Sequence, residues 1–170
     1  MRRLFAAAVL TAALAHPASA EVYWSSIATA CVPASSAIQG DFYVNPNDTI
    51  VMPKGAKLNP IELICGVEPN AGATSPNMLS MTYLDSSGAN RRAFIHAQLV
   101  RVNRTTGARA VAANLRSDSS AATTTQKISA SFSGGLNFER FYYFVRVAIV
   151  RAKASHTVRS IGVALEAVTP

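Results

Sequence analysis

The feature that most constrains the fold is a stretch of alternating side chains at residues 138–151. Its odd positions carry apolar groups, namely Phe141, Tyr143, Val145, Val147 and Ile149. Its even positions mix aromatic, cationic and aliphatic groups, namely Arg140, Tyr142, Phe144, Arg146, Ala148 and Val150. Successive side chains of a β-strand point to opposite faces, so the stretch predicts one strand whose odd side chains enter a core. Its even side chains are expected on a face that tolerates charge.

Weaker stretches of the same kind recur about every ten residues and are separated by turn-forming residues. Residues 92–103 and 108–116 predict a hairpin, although the alanine-rich second arm could also form a short helix. The last strand is expected to place Ile161, Val163 and Leu165 on one face. The pattern therefore favours an all-β fold, an antiparallel β-sandwich of the jelly-roll or immunoglobulin-like type with roughly eight to ten strands.

Residues 1–20 have the three parts of a secretory signal. A basic start precedes an uncharged apolar run at 4–15, which is too short to span a bilayer, and small residues at 18–20 suit signal peptidase. We therefore expect 1–20 to be a cleaved signal peptide and 21–170 to be a single β-sandwich domain without a transmembrane anchor. The mature protein is expected in the periplasm or outside the cell.

The charge of the chain is positive but dispersed. It carries 16 lysine and arginine residues against 9 acidic residues, a formal net charge of +7. Two of these cations, Arg2 and Arg3, belong to the predicted signal, so its removal leaves +5 of the +7. Nucleic-acid binders concentrate their cations in one patch, and we expect no specific nucleic-acid partner. The charge suits an acidic envelope or polysaccharide neighbour, and solubility alone also explains it.

The chain has two cysteines, Cys31 and Cys65. Export would carry them to an oxidising compartment, where a disulfide is the expected state. Alternation along 61–65 places Ile61, Leu63 and Cys65 on one face, so the second cysteine is expected on the core side of its strand. The sequence therefore predicts a structural bridge between the two cysteines.

Residues suited to catalysis or metal binding are sparse after the predicted signal. Histidines occur at His96 and His156, and a Ser-His-Asp set would have to combine His96 with Asp85 and a serine without any nucleophile-elbow sequence. Clustered Cys and His for zinc are missing, and Asp85-Ser-Ser-Gly88 is more typical of a turn than of a calcium loop. We expect no cofactor, no metal and no catalytic residues, with a small hydrolase centred on His96 as the least favoured alternative.

The remaining candidate site is the even face of 138–151, formed by Arg140, Tyr142, Phe144 and Arg146. Aromatic and arginine side chains are enriched at binding hot spots. The equal alternative is that a second layer of protein, or the aliphatic stems of the arginines, covers these rings, so that they form no binding site. The leading hypothesis is a secreted or periplasmic, non-enzymatic domain that binds a protein or a glycan. The alternative of a different class is a structural subunit of the cell envelope that self-associates.

Overall fold

A computed structural model describes residues 20–34, 43–44, 50–51, 60–71, 73–153 and 155–168. Within these ranges the chain forms eleven strands in two antiparallel sheets, which confirms the predicted all-β sandwich. The strands are β1 (Ala20–Ile27), β2 (Val32–Pro33), β3 (Tyr43–Val44), β4 (Ile50–Val51), β5 (Ile61–Val67), β6 (Met78–Asp85), β7 (Phe94–Asn103), β8 (Arg109–Arg116), β9 (Thr125–Ser131), β10 (Phe141–Val150) and β11 (Val158–Val168). The predicted signal lies outside the described residues, except for Ala20, which begins β1.

The two sheets differ in their strand order. One has the order β3-β4-β11-β6-β9, and β1 pairs with the C-terminal half of β11 beside β4. The other has the order β2-β5-β10-β7-β8. Strand β10 therefore lies at the centre of the second sheet, hydrogen-bonded to β5 on one side and β7 on the other. A central strand buries one complete face, which explains why its alternation is the clearest in the sequence.

The core lies between the inner faces of the two sheets. Tyr143, Val145, Val147 and Ile149 of β10 are buried there, as their positions predict, while Phe141 is half-buried at the strand end. The strand begins later than predicted because a turn occupies 138–140. Asn137 accepts hydrogen bonds from the backbone N–H groups of Arg140, through its side-chain oxygen, and of Phe141, through its carbonyl. Arg140 therefore lies in a turn and not, as predicted, in the strand.

The predicted disulfide joins Cys31 to Cys65 with a Cα–Cα distance of 4.4 Å. Cys31 follows β1 at the point where the chain leaves the first sheet and enters β2 of the second. Cys65 lies on β5 opposite Val145 and is buried, which confirms its predicted core orientation. The bridge thus fastens the crossing between the sheets to the core.

Two β-bulges change side-chain direction in a way that simple alternation does not predict. In β11 the register shifts between Ser160 and Gly162, so Val163 and Leu165 face the core but Ile161 does not share their burial. The predicted common face of the three is therefore wrong at Ile161. In the hairpin, Leu99 opposes Ala113 while Val100 opposes Val111. The extra residue in β8 bends that strand.

One end of the core contains a buried polar contact between the sheets. Asp85 at the end of β6 is fully buried and accepts a hydrogen bond from the Ser117 hydroxyl at 2.6 Å. The same hydroxyl accepts the backbone N–H of Ile95 in the opposite sheet at 2.9 Å. Asp85 also accepts the N–H of Ser87, so its carboxylate closes the turn after β6.

Tyr83 provides a prediction for alkaline pH. Burial raises the pKa of its hydroxyl above the ordinary value of 10.0. Above that pH the Tyr83 hydroxyl of the unfolded chain loses a proton that the folded chain retains. The contribution of Tyr83 to the free energy of unfolding is therefore complete below pH 10.0 and is lost as the pH rises further. Tyr83→Phe should remove this part of the alkaline decline in stability. Urea unfolding of the wild type and of Tyr83→Phe between about pH 8 and pH 11 measures the free energy of unfolding at each pH. An equal decline of that free energy with pH in the two proteins would contradict the assignment.

Among the described residues no helix has the length and hydrophobicity needed to cross a membrane.

Candidate functional site

A groove on the outer face of the second sheet has a volume of about 580 Å³. It crosses all five strands, a distance of about 19 Å at the usual strand spacing. Its lining combines aliphatic, aromatic and charged side chains. They are Ala34, Glu62, Ile64, Gln98, Val100, Arg109, Val111, Phe144 and Arg146.

The centre of the groove is a row of residues in register across four strands. Phe144 on β10 opposes Gly66 on β5 and Val100 on β7, and Val100 in turn opposes Val111 on β8. A Cβ atom built on Gly66 would meet no atom within 4 Å, so the space beside Phe144 is open. Val111 is 53% exposed on the far side, where the β8 bulge bends the strand. The half-buried Phe144 ring therefore lies between an open hollow and an aliphatic wall.

Polar groups occupy the next part of the groove. Arg146 forms an ion pair with Glu62, which lies 84 positions away in sequence on the neighbouring strand. Gln98 on β7 opposes Arg146 from the other side. Arginine donates in a fixed fork, glutamate accepts, and glutamine does both. This part of the groove can therefore exchange hydrogen bonds with a ligand that carries several hydroxyl groups.

A second concavity, the end hollow, lies where β10 begins and has a volume of about 490 Å³. Arg104 lies over the Tyr142 ring at 4.4 Å from its centroid. Arg101 and Arg140 approach the Phe141 ring at 5.1 Å and 5.6 Å. Each arginine is within the range of a cation–π contact. The end hollow is therefore an aromatic surface bordered by cations.

The structure divides the four predicted site residues between these two surfaces. Phe144 and Arg146 line the groove, while Tyr142 lines the end hollow and is 57% exposed. Arg140 lies in the preceding turn with its guanidinium near Phe141. The outer face is thus open in part and is not covered by a second protein layer at Tyr142.

Most of the groove was missed by sequence reasoning. Glu62, Ile64, Gln98, Val111 and Arg109 all line it, yet none was proposed as a site residue. The alternation within each strand signals that these side chains leave the core. It carries no signal that β5, β7 and β8 are the neighbours of β10, and that pairing is what assembles the groove.

The residues of the hydrolase alternative lie in different sheets. His96 is on the outer side of β7, where its Nε2 pairs with the Asn114 side chain. Asp85 belongs to β6 of the other sheet and is bound to Ser117 inside the molecule. Among the described residues no hydrogen bond joins Asp85 to His96.

The opposite sheet has a smaller, polar hollow of about 250 Å³ on its outer face. Its buried Glu166 accepts hydrogen bonds from Ser80 at 2.8 Å and Lys127 at 2.5 Å. These contacts give the carboxylate both a hydroxyl and a cationic partner. No group of three or more His, Cys, Asp or Glu suited to a metal ion occurs in the part of the chain that the structure describes.

Comparison with known proteins yields weak structural likenesses. No protein-family model and no curated protein sequence matches the chain. One similar structure is a family two carbohydrate esterase from Cellvibrio japonicus, with 11% identity and a TM-score of 0.45 over 91% of this chain. The chain spans 36% of that esterase. Another is a mutant family 29 carbohydrate-binding module, with 13% identity, a TM-score of 0.28, and coverage of 85% of this chain and 92% of the module. Likenesses this weak transfer neither protein's activity to this chain.

Proposed function

We propose that the protein is an exported, non-enzymatic domain that binds a glycan in the groove. The observation that carries this proposal is the arrangement around Phe144. Its ring lies beside the open space at Gly66. The next outward-facing residue of β10 is Arg146, which pairs with Glu62 on β5 and opposes Gln98 on β7. An apolar ring next to convergent polar groups is the usual composition of a small-molecule or oligomer site.

A sugar chain has the chemistry that this arrangement accommodates. Each pyranose ring presents C–H groups on its faces and hydroxyl groups around its edge. The C–H face can pack on Phe144, while the edge hydroxyls both donate and accept hydrogen bonds with Arg146, Glu62 and Gln98. The groove spans about 19 Å across the sheet, which suits an elongated ligand.

The concavity also favours a glycan over a protein partner. Stable protein interfaces bury about 800 Å² on each side, with close shape complementarity. A groove favours a narrow chain more than a broad surface. Binding without catalysis is proposed because Glu62 is engaged by Arg146 and because His96, paired with Asn114, does not line the groove. The Cys31–Cys65 bridge supports an oxidising location outside the cytoplasm.

Filling the open space beside Phe144 should weaken binding without harming the fold. Gly66→Leu places a side chain in the open space beside Phe144, at a strand position where glycine itself costs about 0.5 to 1 kcal/mol relative to alanine. We expect at least a roughly tenfold loss of affinity, or about 1.4 kcal/mol, with stability unchanged or higher. Affinity electrophoresis in gels containing xylan, mannan, soluble cellulose derivatives or polygalacturonate measures the binding, and urea unfolding measures the stability.

The matched control is Ser129→Leu, which adds the same side chain to an exposed position on the other sheet. This variant should bind as the wild type does. Two results would contradict the proposal. One is a wild-type chain that none of these polysaccharides retards. The other is a concentration-dependent oligomer, seen by sedimentation velocity, that Gly66→Leu dissociates, because the groove would then be a self-association surface.

A further inference from the structure

We infer that the ligand is an anionic glycan whose sugar carboxylates are held by four arginines, an inference that rests on the proposed function. The four are Arg101, Arg104, Arg109 and Arg140, here called the arginine rim. All four side chains are exposed. Arg109 lines the groove and Arg104 lines the end hollow, whereas Arg101 and Arg140 lie beside Phe141 at the same end of the second sheet.

Two strands and two turns carry the arginine rim. Arg101 opposes Tyr143, and the backbone N–H of Arg104 donates to the carbonyl of Arg140 at 3.0 Å. Arg109 is in register with Val102, which is in register with Tyr142. Arg109 therefore lies two strands from Tyr142, about 10 Å at the usual strand spacing. The cations that are dispersed in the sequence converge in space.

Aromatic rings hold three of these guanidinium groups in place. Arg104 lies over Tyr142, and both Arg101 and Arg140 lie near Phe141, all within 5.6 Å of a ring centroid. The rings restrict the arginines while their N–H groups remain free to donate. A planar guanidinium fork matches the two oxygens of a carboxylate. Because the guanidinium groups are already restricted, their side chains lose less conformational entropy when a ligand binds.

The arginine rim also lacks acidic partners of its own. Ion pairs among the described residues join Arg116 to Asp118, Lys127 to Glu166 and Arg146 to Glu62, and none includes a member of the rim. Glu68 and Glu139 line the end hollow without approaching a rim guanidinium within ion-pair distance. Four cations against two carboxylates leave this end of the sheet positive. That surface complements a ligand with regularly spaced negative charges.

A carboxylated polysaccharide suits this surface better than a nucleic acid does. Binding to single strands relies on bases that stack on free aromatic faces. The exposed ring of Tyr142 already carries Arg104 on one face, and Phe144 is half-buried in the groove. Glu62 in the groove would repel closely spaced phosphates, whereas its acceptor oxygens suit hydroxyl groups. A uronic acid chain can place hydroxyls in the groove and carboxylates on the arginine rim.

The test compares polygalacturonate and alginate with their methyl-esterified forms, which keep the sugar backbone but lose the charge. The wild-type chain should bind the acidic forms at least about tenfold more tightly, a difference of about 1.4 kcal/mol. That preference should shrink between about 0.1 M and 1 M salt, where the Debye length falls from about 10 Å to about 3 Å.

The decisive variant pairs Arg104→Gln with Arg140→Gln, neither of which lines the groove, and its control pairs Arg91→Gln with Arg92→Gln, which are exposed just before β7. The first should lose the preference for acidic forms, and the second should keep it. Equal binding of acidic and esterified forms would overturn the inference but leave glycan binding intact, and so would binding of neutral glycans alone. Failure to bind any glycan would overturn both. Equally tight binding of single-stranded DNA would overturn the carboxylate assignment.

Discussion

Removal of the disulfide by the double replacement of Cys31→Ala and Cys65→Ala is expected to lower the free energy of unfolding by about 4 kcal/mol. The bridge closes a loop with a sequence separation of 34, and most of the loss comes from the greater freedom of the unfolded chain. Both positions are buried, so alanine avoids leaving a hydroxyl without a partner there. Urea unfolding followed by circular dichroism measures the difference.

The same change should also weaken glycan binding. Strand β2 pairs with β5 at Val32 and Pro33, and Ala34 just beyond it donates its N–H to the Glu62 carbonyl at 2.8 Å and lines the groove. Without the bridge this edge loses its covalent fastening to β5. The wild-type chain treated with a reductant is the matched control and should behave like the double variant. A loss below about 1 kcal/mol would show that the loop is restrained by other contacts in the unfolded chain.

Asp85→Ala is expected to lower the free energy of unfolding by about 3 kcal/mol, since hydrogen bonds to charged groups contribute about 1.5 to 3 kcal/mol each. The carboxylate is fully buried and accepts from the Ser117 hydroxyl and the Ser87 N–H. Its loss would leave the Ser117 hydroxyl without its acceptor. Because Ser117 also accepts the N–H of Ile95, the contact between the two sheets should loosen.

Three further variants separate this contact from a simple charge effect. Glu139→Ala removes the same charge from an exposed turn position and should change stability by less than about 0.5 kcal/mol. Combining Asp85→Ala with Ser117→Ala should cost less than the sum of the two single losses, because both break one hydrogen bond. Urea unfolding of the wild type, the two single variants and the double variant gives the coupling energy. Additive losses, or an Asp85→Ala variant as stable as Glu139→Ala, would contradict the assigned contact.

The proposed function and the further inference assign separate tasks to the groove and to the arginine rim. The groove around Phe144 would bind the sugar ring and its hydroxyls, and the arginine rim would bind its charge. Gly66→Leu should therefore reduce binding of acidic and neutral sugars alike. The arginine rim variants should act on the acidic ones only. The two sets of variants can be compared in the same affinity gels.

Several structural features could be read from the sequence because they depend on local patterns. Alternation along β10 predicted the burial of Tyr143, Val145 and Ile149, and the pairing of Cys31 with Cys65 followed from there being two cysteines. Outward-facing Phe144 and Arg146 were also predicted. The period of two is a property of each strand alone, and it is sufficient to define an inner and an outer face.

By itself, then, the sequence determined the all-β class, the core faces of β5 and β10, and the disulfide. Only the tertiary structure decided which strands are neighbours, and thereby brought Glu62 to Arg146 and gathered the dispersed arginines at one end of the sheet. It also decided the bulges, which turned Ile161 away from its predicted face, and the turn that contains Arg140. The physical reason is that strand pairing is a long-range choice made by packing, while alternation records only whether a side chain enters the core.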